Sequence, residues 1–129
     1  MAKKPESRLQ LRIKKRLIAE VGGKWFKVHG GPFQEAGLPD LIGCVEGLFF
    51  GFEVKLPYDP KSKPSELQLA TIEEYNNEGG FVCIVTSPEQ AIAVVRAALA
   101  ETKARRFGRR LRKWLCAVLR SADGEDVGY

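Results

Sequence analysis

Polar and apolar positions along this chain alternate between two periods. Over residues 7–21 the period is helical: at about 100° per residue, Leu9, Ile13, Leu17 and Val21 form one apolar stripe. Ser7 stands where an N-cap belongs, and Gly22-Gly23 where the helix should end. Lys24 to His29 then alternates with period two, putting Phe26 and Val28 on one face of a short strand. Gly37 to Lys55 reads as two β-branched and aromatic strands joined by a tight turn near Gly47. Ser65-Glu-Leu-Gln68 has the form of a capping box, and Gly79-Gly80 stops the helix it opens. The run from Phe81 to Thr86 is almost wholly apolar, which suits a strand covered on both faces. Ser87-Pro88-Glu89-Gln90 caps a last helix whose core contacts are Ile92, Val95 and Leu99. The elements give α-β-β-β-α-β-α, an α/β fold around a mixed sheet, with parallel strands across the second helix.

After residue 102 the material changes. Lys103, Arg105, Arg106, Arg109, Arg110, Arg112 and Lys113 crowd together, while Leu111, Trp114, Leu115 and Val118 share a helical apolar face. This reads as one domain over 1–102 and a basic amphipathic helix with an acidic tail over 103–129. The helix could dock on the body, join a dimer or lie along nucleic-acid phosphate. Asp123-Gly-Glu-Asp126 reads as a solvated end.

Charge sharpens the picture. Residues 1–16 carry seven basic side chains against Glu6, and residues 103–129 carry eight against three acids. Residues 17–102 reverse this, with twelve acids against six bases. An acidic body between basic ends suits a metal-dependent enzyme acting on a polyanion; solvated basic ends are the plain alternative. No apolar run approaches the roughly 20 residues of a membrane span, and Met-Ala-Lys-Lys-Pro-Glu does not look like a secretory leader. A cytoplasmic protein, from a bacterium or a phage-infected host, is expected. Cys44, Cys83 and Cys116 lack metal-ligand spacing, and the first two are expected as buried free thiols within strands.

The charges inside the hairpin carry the chemistry. Asp40 opens its first strand, while Glu53 and Lys55, two apart, share one face of its second. Phe50, Phe52 and Val54 fill the opposite face. Antiparallel pairing about Gly47 brings Asp40 across from Glu53 and Lys55, so two carboxylates and an ammonium meet at one sheet edge. Such a cluster suits a hard divalent cation, Mg²⁺ or Mn²⁺, which takes carboxylate oxygens, water and substrate phosphate.

Pro39-Asp40, followed after twelve residues by Glu53-Val54-Lys55, resembles the PD-(D/E)XK nuclease superfamily. Within it, Gly-Leu-Pro-Asp-Leu-Ile-Gly, Glu-Val-Lys-x-Pro, Gln68 and Gly79-Gly80 are similar to the VRR-NUC family of virus-type replication-repair nucleases, over about Arg8 to Leu99. The resemblance implies the restriction-endonuclease-like core and a metal-dependent endonuclease acting on DNA. It implies that Asp40, Glu53 and the Val54 carbonyl bind the metal and that Lys55 positions or deprotonates the attacking water. It places an acid on the first helix near the metal, a place that Glu20 matches, and a glutamine beside the lysine, a place that Gln68 matches. Other readings stand beside these. Glu20 lies on the wheel between Leu9 and Ile13, amid the buried face, unless it reaches solvent from the helix end. Gln68 could serve the capping box alone.

His29, the single histidine, sits at a strand end and is expected to be structural, exposed or at most a substrate contact. Lys61 and Lys63 lie in a proline-rich loop that is either a phosphate-contacting flap or a surface connector. Arg109, Arg110 and Arg112 are the tail's candidate DNA contacts. The family resemblance implies branched or flapped DNA as substrate. One site per chain makes a homodimer the expected assembly for paired incisions. A non-cleaving DNA-binding or scaffold protein is the alternative on the same fold.

Overall fold

The computed structural model describes residues 3–32 and 34–122, without the side chains of residues 107–112 and 120–122. Its element order is α1 (Pro5–Val21), β1 (Lys24–Lys27), β2 (Leu41–Val45), β3 (Leu48–Val54), α2 (Glu66–Asn77), β4 (Phe81–Val85) and α3 (Pro88–Ala122). This is the expected α-β-β-β-α-β-α order. The four strands lie in the order β1-β2-β3-β4, antiparallel except for the parallel pair of β3 and β4.

The β2–β3 hairpin turns through Glu46 and Gly47, both at positive φ (49° and 82°). Two such residues between the paired Val45 and Leu48 form the tight turn whose twist matches that of the flanking strands. The register that follows sets Leu41 opposite Phe52. Asp40 therefore arrives beside the last residues of β3. β3 is a central strand, and Phe50, Phe52, Glu53 and Val54 are all buried.

Trp25 anchors the other side of the hairpin. It is 4% exposed, its indole N–H donates to the Gly22 carbonyl at 2.8 Å, and its ring stacks on Phe52 with centroids 5.8 Å apart. A Cβ on Gly43 would lie 2.3 Å from the indole, so glycine is required beneath the ring. Phe26 faces outward and is 55% exposed. The period-two reading of this strand holds, and the larger aromatic takes the core face.

Three expectations need correction. α1 begins at Pro5 rather than at Ser7: proline occupies the first turn, where its missing N–H costs nothing, and no side chain caps the helix. β4, by contrast, lies at the edge of the sheet yet is covered on both faces as expected: its buried residues Val82 and Val85 point to opposite faces and none of its residues is exposed. The Asn76 side chain occupies its outer edge, donating to the Val82 carbonyl and accepting from the Val82 N–H, both at 2.8 Å. That satisfies backbone groups that would otherwise offer an open edge. Cys44 is exposed because Leu41, Gly43 and Val45 take the inward positions of β2. Cys83 is half-buried, and burial pushes its thiol pKa up.

The chain divides into two units, Met1–Ala97 and Ala98–Tyr129. The first holds the sheet, α1, α2 and the start of α3, where Ser87 accepts from the Gln90 N–H at 3.2 Å and Ala91, Ile92 and Val95 are buried. In the second, residues 103–120 continue α3 without a break rather than forming a helix of their own. Arg105 pairs there with Glu101 one turn earlier, and Trp114, Leu115, Val118 and Leu119 are exposed. The side chains of Arg109, Arg110 and Arg112, and the acidic stretch from Asp123, lie outside the described residues.

Candidate active site

Three residues meet where β2 begins and β3 ends. Asp40 is fixed by its backbone, whose carbonyl accepts from the Val28 N–H at 2.8 Å. Its Oδ2 accepts from the Val54 N–H, also at 2.8 Å. The carboxylate thus replaces a backbone partner at the end of the ladder, which is why it points at β3. In a strand the N–H and C=O of one residue share an edge, so the Val54 carbonyl lies on the side that Asp40 occupies.

Glu53 is 2% exposed. Its Oε1 accepts from the Gln68 side-chain amide at 2.7 Å and lies 3.3 Å from the Lys55 ammonium. Burial, followed by the Asp40 charge, pushes the Glu53 pKa up to about 7, with Lys55 pulling the other way. One lysine does not offset two carboxylates in this setting. Lys55 itself is held between Glu53, through its ammonium, and β4, through its N–H to the Val85 carbonyl at 3.0 Å.

Gln68 makes two sets of contacts, one at the helix end and one at Glu53. Its Oε1 accepts from the Ser65 N–H at 2.9 Å while its own N–H donates to Ser65 Oγ at 3.1 Å, completing the capping box of α2. Its Nε2 donates to Glu53. Because Oε1 is committed to the helix end, only the NH₂ group can face the carboxylate. Ser65 is therefore a residue of this site that sequence reasoning recognised as a cap but not as the group that orients Gln68.

The donor set fits a divalent cation. Two oxygen ligands of an under-compensated carboxylate pair, with a backbone carbonyl beside them, are the hard, incomplete set that Mg²⁺ or Mn²⁺ completes with water and substrate oxygens. Among the described residues no group of three or more His, Cys, Asp or Glu side chains could hold a metal ion together. Glu20 accordingly stands apart, which corrects its placement on the buried face. At the last turn of α1 its long side chain turns outward, 3.0 Å from Arg96 and 4.0 Å from Arg16. His29 is exposed, with its ring edge-to-face against Phe26 at 6.5 Å.

Beside Asp40 the connection from β1 encloses a cleft of about 240 Å³, lined among others by Val28, Gly31, Gln34 and Pro39. Lys61 and Lys63 are exposed on the loop that joins β3 to α2. None of the helices of the described residues is long and apolar enough to cross a membrane.

No protein-family model matches the chain, and no curated protein matches it. Solved structures do, and two of them are described as VRR_NUC domains. One, described as a VRR_NUC domain protein, is 20% identical with a TM-score of 0.50, over 75% of this chain and 89% of that one, and attests the fold. The other, described as a VRR_NUC domain, is 30% identical with a TM-score of 0.56, over 70% of this chain and 94% of that one. With that likeness over 70% of its length and 94% of the other's, this chain belongs to the VRR-NUC family and has a nuclease-type fold.

Proposed function

We propose that this protein is a Mg²⁺- or Mn²⁺-dependent endonuclease that hydrolyses phosphodiester bonds in DNA. The observation that supports it most is the convergence of Asp40, Glu53 and Lys55 in a partly buried, negatively unbalanced cluster. Asp40 and Glu53 would hold the cation together with the Val54 carbonyl. Once bound, the cation supplies neutralisation of the charge that develops on the scissile phosphate. Lys55, 12% exposed at its side chain, offers an ammonium that orients the attacking water or, when neutral, takes its proton at Nζ. Gln68 keeps Glu53 in place. Glu20, paired with arginines, is assigned to the surface and not to the metal.

Family membership supports structured DNA, junctions or flaps, as the substrate class, in phage or bacterial replication and repair. Lys61, Lys63, Arg109, Arg110 and Arg112 are assigned to phosphate contacts. Two incisions across a junction call for two sites, so a homodimer is the assembly that fits, and the apolar exposure of Trp114, Leu115, Val118 and Leu119 supports it.

The test is incubation with junction, flap and linear DNA in Mg²⁺ or in chelator. Incision of branched DNA in Mg²⁺ alone is expected. Binding without incision in either condition assigns the chain to non-cleaving DNA-binding proteins. Replacing Arg109, Arg110 and Arg112 with alanine should reduce the salt slope of binding by up to about 3 and leave cleavage at saturating DNA intact.

A further inference from the structure

The loop between Lys55 and Ser65 is tied at both ends to the site and displays one aromatic ring. Lys55 contacts Glu53 at one end, and Ser65 orients Gln68 at the other. Between them the loop closes on itself: the Leu56 N–H donates to Ser62 Oγ at 2.9 Å, the Ser62 N–H to the Asp59 carbonyl at 3.0 Å, and the Lys61 N–H to Asp59 Oδ1 at 2.9 Å. Pro57, Pro60 and Pro64 stiffen it further. At its apex Tyr58 is fully exposed at 102% and adopts φ 66°. A tyrosine in the left-handed region is uncommon and strained, and it persists only where the surrounding chain holds it. The ring therefore meets solvent on a rigid support, with Lys61 and Lys63 exposed nearby on the same loop.

We propose that Tyr58 is a stacking platform for an unpaired base within about three nucleotides of the scissile phosphate, and that it selects DNA with single-stranded character over continuous duplex. This rests on the reading of the adjoining cluster as a DNA-cleaving site. The chain sets the distance: three residues from Lys55, the Tyr58 Cα lies within about 11 Å of the Lys55 Cα. At about 3.4 Å per nucleotide of strand, that keeps the base at most about three nucleotides from the cut. A base in a duplex offers its faces to its neighbours, whereas an unpaired base at a flap or junction offers a face to the ring. Stacking of this kind tolerates any base, as expected for a reader of structure. Lys61 and Lys63 supply the phosphate contacts of the same strand.

The test measures binding of the full-length protein in chelator, so hydrolysis plays no part in it. The probes are a 5′-flap, a single strand and a blunt duplex, each with 2-aminopurine at the positions flanking the expected cut. Tyr58→Ala should weaken flap and single-strand binding by about 5- to 100-fold and abolish the fluorescence quench. Duplex binding should stay within about twofold, and melting should be unchanged because the ring buries nothing. Tyr58→Phe and Tyr58→Trp should retain both binding and quench, since stacking uses only the ring. Equal losses on all three DNAs, unchanged flap binding in Tyr58→Ala, or loss in Tyr58→Phe would each overturn the proposal, as would wild-type protein that binds neither flap nor single strand. A wild-type protein that shows the Tyr58-dependent quench but never cleaves in Mg²⁺ leaves the platform standing and removes the nuclease reading.

Discussion

Glu53 and Glu20 are both glutamates beside basic side chains, and physically they are opposites. Glu53 lies inside the sheet at 2% exposure, shares its space with Asp40, and has one lysine and one amide as partners. Its pKa rises to about 7. Glu20 ends α1 with its side chain 40% exposed and two guanidinium groups within 4.0 Å. Water and arginine satisfy it. A basic neighbour therefore does not mark a reactive acid. What marks one is burial that withholds compensation, so that the charged form awaits a further cation.

The largest break in this contrast comes from removing a member of the buried set. Asp40→Asn keeps an oxygen for the Val54 N–H and so should keep the fold, but it takes away a metal ligand. Cleavage should fall by at least about 10²-fold, and Lys55→Ala should do the same. DNA binding should survive both, and in Asp40→Asn it should tighten as repulsion of phosphate is relieved. Wild-type turnover by Asp40→Asn, measured under single-turnover conditions, would overturn the site assignment.

The pH dependence sharpens the same contrast. In the fold the Glu53 carboxyl ionises near pH 7, against 4.5 for the ordinary side chain. Folding thus favours the protonated form: its contribution is complete below the unfolded value and is lost as pH rises through about 7. Metal-free protein should lose on the order of 3 kcal/mol of stability across that window, a loss that Glu53→Gln removes. A divalent cation binds the ionised form, so Mg²⁺ should raise the melting temperature more at pH 8 than at pH 6. Parallel melts in chelator and in Mg²⁺ check both signs, and an unchanged pH slope in Glu53→Gln contradicts the first.

A smaller effect separates the two roles of Gln68. Gln68→Glu retains an oxygen for the Ser65 N–H but replaces the donor facing Glu53 with a second carboxylate. Activity should drop about tenfold or more, with α2 intact at low pH, because a hydrogen bond to a charged group gives way to repulsion. Gln68→Ala should lose the cap as well, at a further cost of about 1 kcal/mol in urea melts. Full activity in Gln68→Glu would leave capping as the residue's whole role.

Much of this site was legible in the sequence because it depends on short-range geometry. The two-residue spacing of Glu53 and Lys55 fixes a common face, and the turn at Glu46–Gly47 fixes the register that delivers Asp40. Periodicity does not say which face of a strand is inward. Trp25 therefore went unremarked beside Phe26, and Cys44 was expected inside. Nor does an apolar run reveal whether its strand is central or at the edge: β4 is covered on both faces and still ends the sheet. Gln68 shows a different limit. Its capping signal and its placement beside the motif lysine looked like competing explanations, whereas a carboxamide has two ends and uses both.

Glu20 gives the smallest expected effect and the cleanest control. On a helical wheel it falls amid Leu9 and Ile13, but the wheel describes directions around an axis and says nothing of where the helix stops. At the final turn a long, flexible side chain can leave the buried face for solvent, and Arg96 at 3.0 Å draws it there. Arg16 meets Glu89 at 3.2 Å as well as Glu20, so these side chains form a small exposed network. Exposed pairs of this kind contribute about 0.2–1 kcal/mol and are screened by salt. Glu20→Gln should therefore lower stability by less than about 1 kcal/mol at low ionic strength and by nothing measurable in 1 M salt. Cleavage and Mg²⁺ affinity should stay within about twofold of wild type. A loss approaching that of Asp40→Asn, with melting unchanged, would instead bring Glu20 to the metal in the DNA-bound state and erase the distinction drawn between the two acids.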